Sequence, residues 1–255
     1  MKKTPVLLAL LLSLLLLAAC GQTPEDGGAG EQPIAGEEIL PCRVVTAQDG
    51  QLLLAKEGGR ATDVYTLAVG EIPVTYEGPS QTAIQPGDLV QIGFNGMVEE
   101  TFPAQLGEVE AIRVQADGRD GLCALYLQVL ADLWEVDPAL NSDIVQLGMD
   151  LSQTRLSPAE QGAVAVAFGS QQGLPVLQNT WQELADEGYI DQENLVWEDG
   201  LFLSITEEDP QADQLTFTAQ KWRSGLGAYF FTDCTAQQAA DGSWGNYTVG
   251  AEAIA

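Results

Sequence analysis

The periodicity of the apolar residues changes once along this chain, and that change limits the fold more than any other feature. Between residues 37 and 115 the apolar side chains come in short runs broken by turns, and never at helical spacing. Runs at 40–47, 51–56, 62–69, 72–77, 89–94 and 108–114 read as strands. Gln48-Asp49-Gly50 reads as the turn of a first hairpin, and Asn95-Gly96 as that of a second, leading into a strand at 97–99. The polar stretch Ala-Asp-Gly-Arg-Asp-Gly at 116–121 marks a boundary, after which helical spacing begins.

Leu122, Tyr126, Val129, Leu130 and Leu133 fall on one side of a predicted helix over 122–135. Ser157-Pro158-Ala159-Glu160 is a capping box with proline at the first helical position, and Thr180-Trp181-Gln182-Glu183 is a second box. Gly188 is expected to end that shorter helix. A strand is expected at 144–151, and further strands at 195–197, 201–206, 214–221, 226–233 and 247–254. Helices followed by an antiparallel meander make residues 120–255 an α+β domain, of the helix-wrapped cystatin or NTF2 kind by analogy alone. The fold class is therefore α+β, with an all-β domain at 37–115 ahead of an α+β domain at 120–255. Each is expected to fold separately.

The N-terminus reads as an address. Lys2 and Lys3 precede an almost purely apolar stretch at 5–19, which is signal-peptide architecture and short for a transmembrane helix. It ends in Leu17-Ala18-Ala19-Cys20, which resembles the lipobox of bacterial lipoproteins. The resemblance implies cleavage before Cys20, a diacylglyceryl group on that cysteine, and anchoring at the extracytoplasmic face of the bacterial membrane. Residues 1–19 are then the signal peptide, and 20–36 a lipidated cysteine and flexible tether rich in Gly, Pro, Gln and acid. Pro86-Gly87-Asp88-Leu89-Val90 and Glu100-Thr101-Phe102-Pro103-Ala104 resemble, loosely, an OB-type β-barrel domain of uncharacterised bacterial lipoproteins. That likeness implies a small closed barrel at 37–115 and carries no catalytic residue with it.

Composition excludes much of chemistry. The chain has no histidine, which removes the commonest general base and metal ligand and every triad built on imidazole. Its formal net charge is −27, with 37 acidic and 10 basic residues, and loss of Lys2 and Lys3 makes it more acidic still. Such a surface repels phosphate backbones, so no nucleic acid partner is expected. Cys42, Cys123 and Cys234 lie far apart with no Cys-x-x-Cys, and are expected to be reduced and buried, a single Cys123–Cys234 bridge being the alternative. No Ser-x-x-Lys, Gly-x-Ser-x-Gly or P-loop occurs. No catalytic residue, metal or cofactor is assigned.

One cluster stands out where cations are scarce. Lys221-Trp222-Arg223 could seat an anionic group, or could pair with neighbouring acids while Trp222 packs in the core. On an extended strand the two cations share one face and Trp222 takes the other. Glu207-Glu208-Asp209 with Asp213, and Asp117 with Asp120, are acidic turns without the spacing of a calcium loop. Tyr229, Phe230 and Phe231 read as sheet core on both faces. The leading expectation is a non-enzymatic envelope lipoprotein that binds a protein or glycan partner. The alternative is a glycan hydrolase working with carboxylates alone.

Overall fold

The computed structural model describes residues 33–208 and 213–255. The signal peptide, Cys20 and most of the tether lie outside the described residues, as does Asp209. Residues Ile34–Ala255 form one compact unit.

The first half builds an eight-stranded sheet. Its strands are β1 (Glu38–Gln48), β2 (Gln51–Lys56), β3 (Val64–Ala68), β4 (Val74–Tyr76), β5 (Leu89–Phe94), β6 (Val98–Glu99), β7 (Ala104–Leu106) and β8 (Val109–Val114). They lie in the order β4-β8-β5-β1-β2-β3-β7-β6, and are mixed, because β3 runs parallel to β7 and β4 parallel to β8. Asp49 and Gly50 both take positive φ and join β1 to β2 as expected, pairing Gln48 with Gln51.

The expected closed OB-like barrel is not formed: the sheet ends at β4 and β6, with no pairing between them among the described residues. The physical reason is two-sided burial. Cys42, Val44, Leu52, Leu54, Tyr65, Val90 and Ile92 fill a cluster enclosed by the sheet itself. Val45, Leu53, Ala55 and Val64, on the opposite face, belong to the cluster built by the helices. Asn95-Gly96 also departs from expectation. Strand β5 pairs with β1 and β8, and β6 with β7, so the chain crosses there to the far edge of the sheet instead of making a hairpin. The Asn95 side chain accepts from Met97 N at 3.1 Å and turns the chain outward.

The second half contains α1 (Leu122–Glu135), a 3-10 turn at Pro138–Asn141, β9 (Gln146–Gln153), α2 (Pro158–Gln172), β10 (Val176–Leu177) and α3 (Trp181–Asp186). Then follow β11 (Gly200–Glu208), β12 (Gln214–Ser224), β13 (Gly227–Gln238), β14 (Trp244–Thr248) and β15 (Ala251–Ile254). The antiparallel order holds for β11, β12 and β13, but β9 is parallel to both β10 and β11, so this sheet too is mixed. Helices α2 and α3 carry the chain back between these strands, which lets them run the same way. In place of the strand expected at 195–197, a turn ends at Leu195 and Val196 makes isolated bridges to Asp191 and Ser224, which puts Trp197 into the core. The single one at 247–254 is two strands, both paired with β13.

Both capping boxes form: Ser157 with Glu160 opens α2, and Thr180 with Glu183 opens α3. Helix α2 is the link between the halves. A side chain at Gly162 would sit 2.0 Å from the Ala61 carbonyl, so only glycine lets the helix approach the β2–β3 connection this closely. At the other end of the first sheet, a Cβ on Gly93 would sit 1.7 Å from the carbonyl of Ala35. The last residues of the expected tether are thus already laid against β5. The boundary at 116–121 falls between β8 and α1, yet the packing runs across it.

Candidate functional site

The strand β12 places Lys221 and Arg223 on one face and Trp222 on the other. Lys221 is fully buried, and its ammonium donates to the Trp134 carbonyl at 3.2 Å, the Asp137 carbonyl at 3.3 Å and Asn141 Oδ1 at 3.1 Å. It also donates to the Val136 carbonyl. These oxygens close the C-terminal end of α1, where a helix presents unpaired carbonyls and a partial negative charge. Burial pulls the ammonium down to about 8, against Asp137 and Glu135, which hold it up.

Arg223 donates to the carbonyls of Leu140 at 3.2 Å, Ser142 at 2.5 Å and Glu198 at 2.6 Å. Trp222 packs edge-to-face on Trp181, centroids 5.6 Å apart. The expected face-sharing is there, but the cations are engaged by backbone carbonyls and not by acids. The three donors of Lys221 are shared among oxygens of the chain itself, with no exposed surface from which to take an outside anion.

One acid of each acidic stretch, Glu207 and Asp120, is tied inward, while Asp117, Glu208 and Asp213 are exposed. Glu207 accepts from Tyr126 OH at 2.6 Å and from Arg155 N and Nε at 2.8 and 2.9 Å. Its side chain is 3% exposed. Asp120 accepts from Leu122 N at 3.0 Å and from Trp244 Nε1 at 2.7 Å. Among the described residues no group of three His, Cys, Asp or Glu side chains could hold a metal ion. Tyr229 and Phe231 pack edge-to-face on each other at the cluster shared with the helices, and Phe230 lies against the cluster of Trp197 and Trp222.

Carboxylates line two hollows. Asp117, Asp213 and Asp241 line one of about 470 Å³ beside Arg119, and Asp150 and Glu183 face a smaller one of about 140 Å³ beside α3. A glycosidase needs one carboxyl kept protonated as general acid. The capping bonds from Thr180 hold Glu183 below its usual range, and it is therefore ionised.

Cations elsewhere follow the pattern of Lys221. Arg43 donates to the Gly87 and Gly118 carbonyls and lies 3.5 Å from Glu160. Arg113 lies 3.8 Å from Glu77, Arg119 3.6 Å from the buried Asp88, and Arg155 2.9 Å from Glu207. Arg60, at 85% side-chain exposure, stands well out in solvent, and it pairs with Asp63.

A second feature has no counterpart in the sequence reading. An apolar groove runs along the outer side of α2, between Phe102-Pro103 on one bank and β10 on the other. Its parts come from separate stretches of chain, and the only local sign is the small-residue surface of α2 at Ala165, Gly169 and Ser170. In comparisons with known proteins, no family model, no curated protein and no solved structure matches the chain.

Proposed function

We propose that the chain is a non-enzymatic binding protein, held by lipid on Cys20 at the outer face of a bacterial membrane, whose acidic surface captures a basic protein. The observation that carries this reading is the inward turn of the cations. Arg43, Arg113, Arg119, Arg155, Lys221 and Arg223 spend their donors on internal oxygens. Of a chain with 37 acidic and 10 basic residues, most described acids are thereby left to dominate what solvent sees.

A field of one sign steers and concentrates partners of the other sign. A neutral glycan gains nothing from it, whereas a polypeptide rich in Lys and Arg does. The lipid and the short tether would keep the capture close to the membrane. The hydrolase alternative has less support, because the carboxylates that line hollows, Asp150 and Glu183 in one and Asp117, Asp213 and Asp241 in another, include Glu183 and Asp241, both held below their usual range by hydrogen bonds.

The test is titration of the full chain with a lysine–serine peptide across a range of salt, beside an unrelated protein of equal net charge. Micromolar binding that weakens about tenfold or more toward 0.3 M salt is expected, and tighter than to the control. Binding no tighter than to the control, or indifferent to salt, would overturn the reading.

A further inference from the structure

The groove beside α2 gives the captured partner a shape. Two hollows, of about 380 and 520 Å³, meet at Pro103, Val166 and Ser170 and form one channel. The floor is small and apolar, with Ala165 and Gly169 buried beneath Val166. One bank carries Phe102, a phenyl ring 55% exposed to solvent. The other is β10, the outermost strand of its sheet, which pairs only with β9.

The register of that parallel ladder decides which backbone groups are spoken for. Val176 lies opposite Leu147, whose N–H donates to the Pro175 carbonyl at 2.9 Å. In such a ladder the N–H and C=O of Val176 itself point away from β9, at the sheet's outer edge, and Val176 also lines the groove. An open strand edge beside an apolar trough is the arrangement that accepts an extended peptide as an added strand.

Charge selects among peptides. Neither hollow is lined by a Lys or Arg, Asp49 lies at one end, and the exposed Glu99 and Glu100 stand just ahead of Phe102. We infer that this groove seats an extended segment of a basic protein, with small apolar side chains over α2, backbone paired to Val176, and Lys or Arg flanks near Asp49 and Glu99-Glu100. The inference rests on the cationic-partner reading and names what that partner inserts. An acyl chain would fill the trough but leave the Val176 edge unpaired, and would gain nothing from the acids.

The experiment uses the full chain as the cell produces it and three synthetic peptides. The first is Lys-Lys-Val-Ala-Val-Ala-Val-Lys-Lys, the second replaces its central residues with serine, and the third is the first with alternate amides N-methylated. The apolar peptide should bind about tenfold tighter than the serine peptide, and N-methylation on the pairing edge should remove most of that gain. Phe102→Ala and Ser170→Trp change exposed side chains, so melting temperatures should hold. Each should weaken the apolar peptide about fivefold or more and leave the serine peptide unaffected.

Equal binding of the apolar and serine peptides would overturn the groove while the cationic-partner reading stands. Failure of both peptides to bind would overturn both. Undiminished binding by the two variants would put the peptide elsewhere, and decanoate that binds where the apolar peptide does not would make the trough an acyl site. Either result rejects the inference.

Discussion

The ammonium of Lys221, the fourth residue from the end of β12, donates to the main-chain carbonyl of Trp134 at the end of α1, 3.2 Å away and 87 residues earlier in the chain. One buried cation therefore ties the central strand of a sheet to the end of the helix that covers it. Lys221→Met removes the charge and keeps the length. It leaves the carbonyls of Val136 and Asp137 and the amide of Asn141 short of a donor. A buried acceptor without its partner costs about 1–3 kcal/mol. The substitution should lower stability by about 3 kcal/mol or more, read by denaturant unfolding. Arg223→Ala, nearer the surface, should cost about 1–2 kcal/mol.

The same lysine predicts a pH dependence. Burial lowers it from its usual 10.5 to about 8. Between those values the unfolded chain holds more protons on this group than the folded one, so stability rises with pH. The contribution is lost as pH falls through about 8. The stability of the native chain relative to Lys221→Met should therefore increase from pH 8 to pH 10. A difference that stays flat would mean that the carbonyls keep the ammonium charged throughout.

What made the fold partly legible was local. The amphipathic spacing of Leu122 to Leu133, the boxes at Ser157 and Thr180, and the Asp49-Gly50 turn each state their structure within one or two turns of chain. The curled sheet was less visible because Leu52-Leu53-Leu54-Ala55 is apolar on both faces. Continuous runs of this sort signal a strand covered on both sides, and α2 provides the second cover. The Lys221 cage left no sequence trace, since its acceptors are mainly backbone carbonyls, which every residue has. The groove is hidden for a related reason: Phe102, Val166 and Val176 meet only once both sheets stand around α2.

Glu207 is the counterpart of Lys221 among the acids. It holds the Tyr126 hydroxyl and the Arg155 guanidinium at 3% side-chain exposure, and burial with this bond pushes the tyrosine hydroxyl well above its ordinary range. Glu207→Ala strands both donors and should cost about 3 kcal/mol, while Glu208→Ala, on the exposed face, should stay within about 0.5 kcal/mol. Paired thermal melts of the two variants check the contrast.

Thiol chemistry reports on both burial and processing. Cys42, Cys123 and Cys234 are free and buried, and burial raises all three thiols, Cys234 to about 12. A maleimide at neutral pH should label none of them in the native protein, and reductant should leave the intact mass unchanged. After denaturation three thiols should react if Cys20 carries lipid, and four if it does not. Cys20→Ala should block acyl labelling and leave an uncut precursor. Normal labelling of that variant would remove the membrane anchor from the proposal.

The last prediction concerns cooperativity, where the packing leads away from two separately folding domains. Val45, Leu53, Ala55 and Val64 of the first sheet share a cluster with Tyr126, Val164 and Phe168 of the helices. The Arg43 guanidinium reaches Glu160 in the capping box of α2, and Gly162 lies against the Ala61 carbonyl. A fragment of residues 37–115 would expose that whole apolar face and leave Arg43 without Glu160. Each fully buried Val or Leu side chain contributes about 1.5–3 kcal/mol, so losing several would consume most of a small domain's stability. Calorimetry of the full chain should show one transition, with calorimetric and van't Hoff enthalpies equal. The fragment should be aggregated or unfolded, and Leu53→Asp in the full chain should destabilise both sheets together. Two resolved transitions, with the fragment folded and monomeric, would show that α2 rests on the first sheet without depending on it.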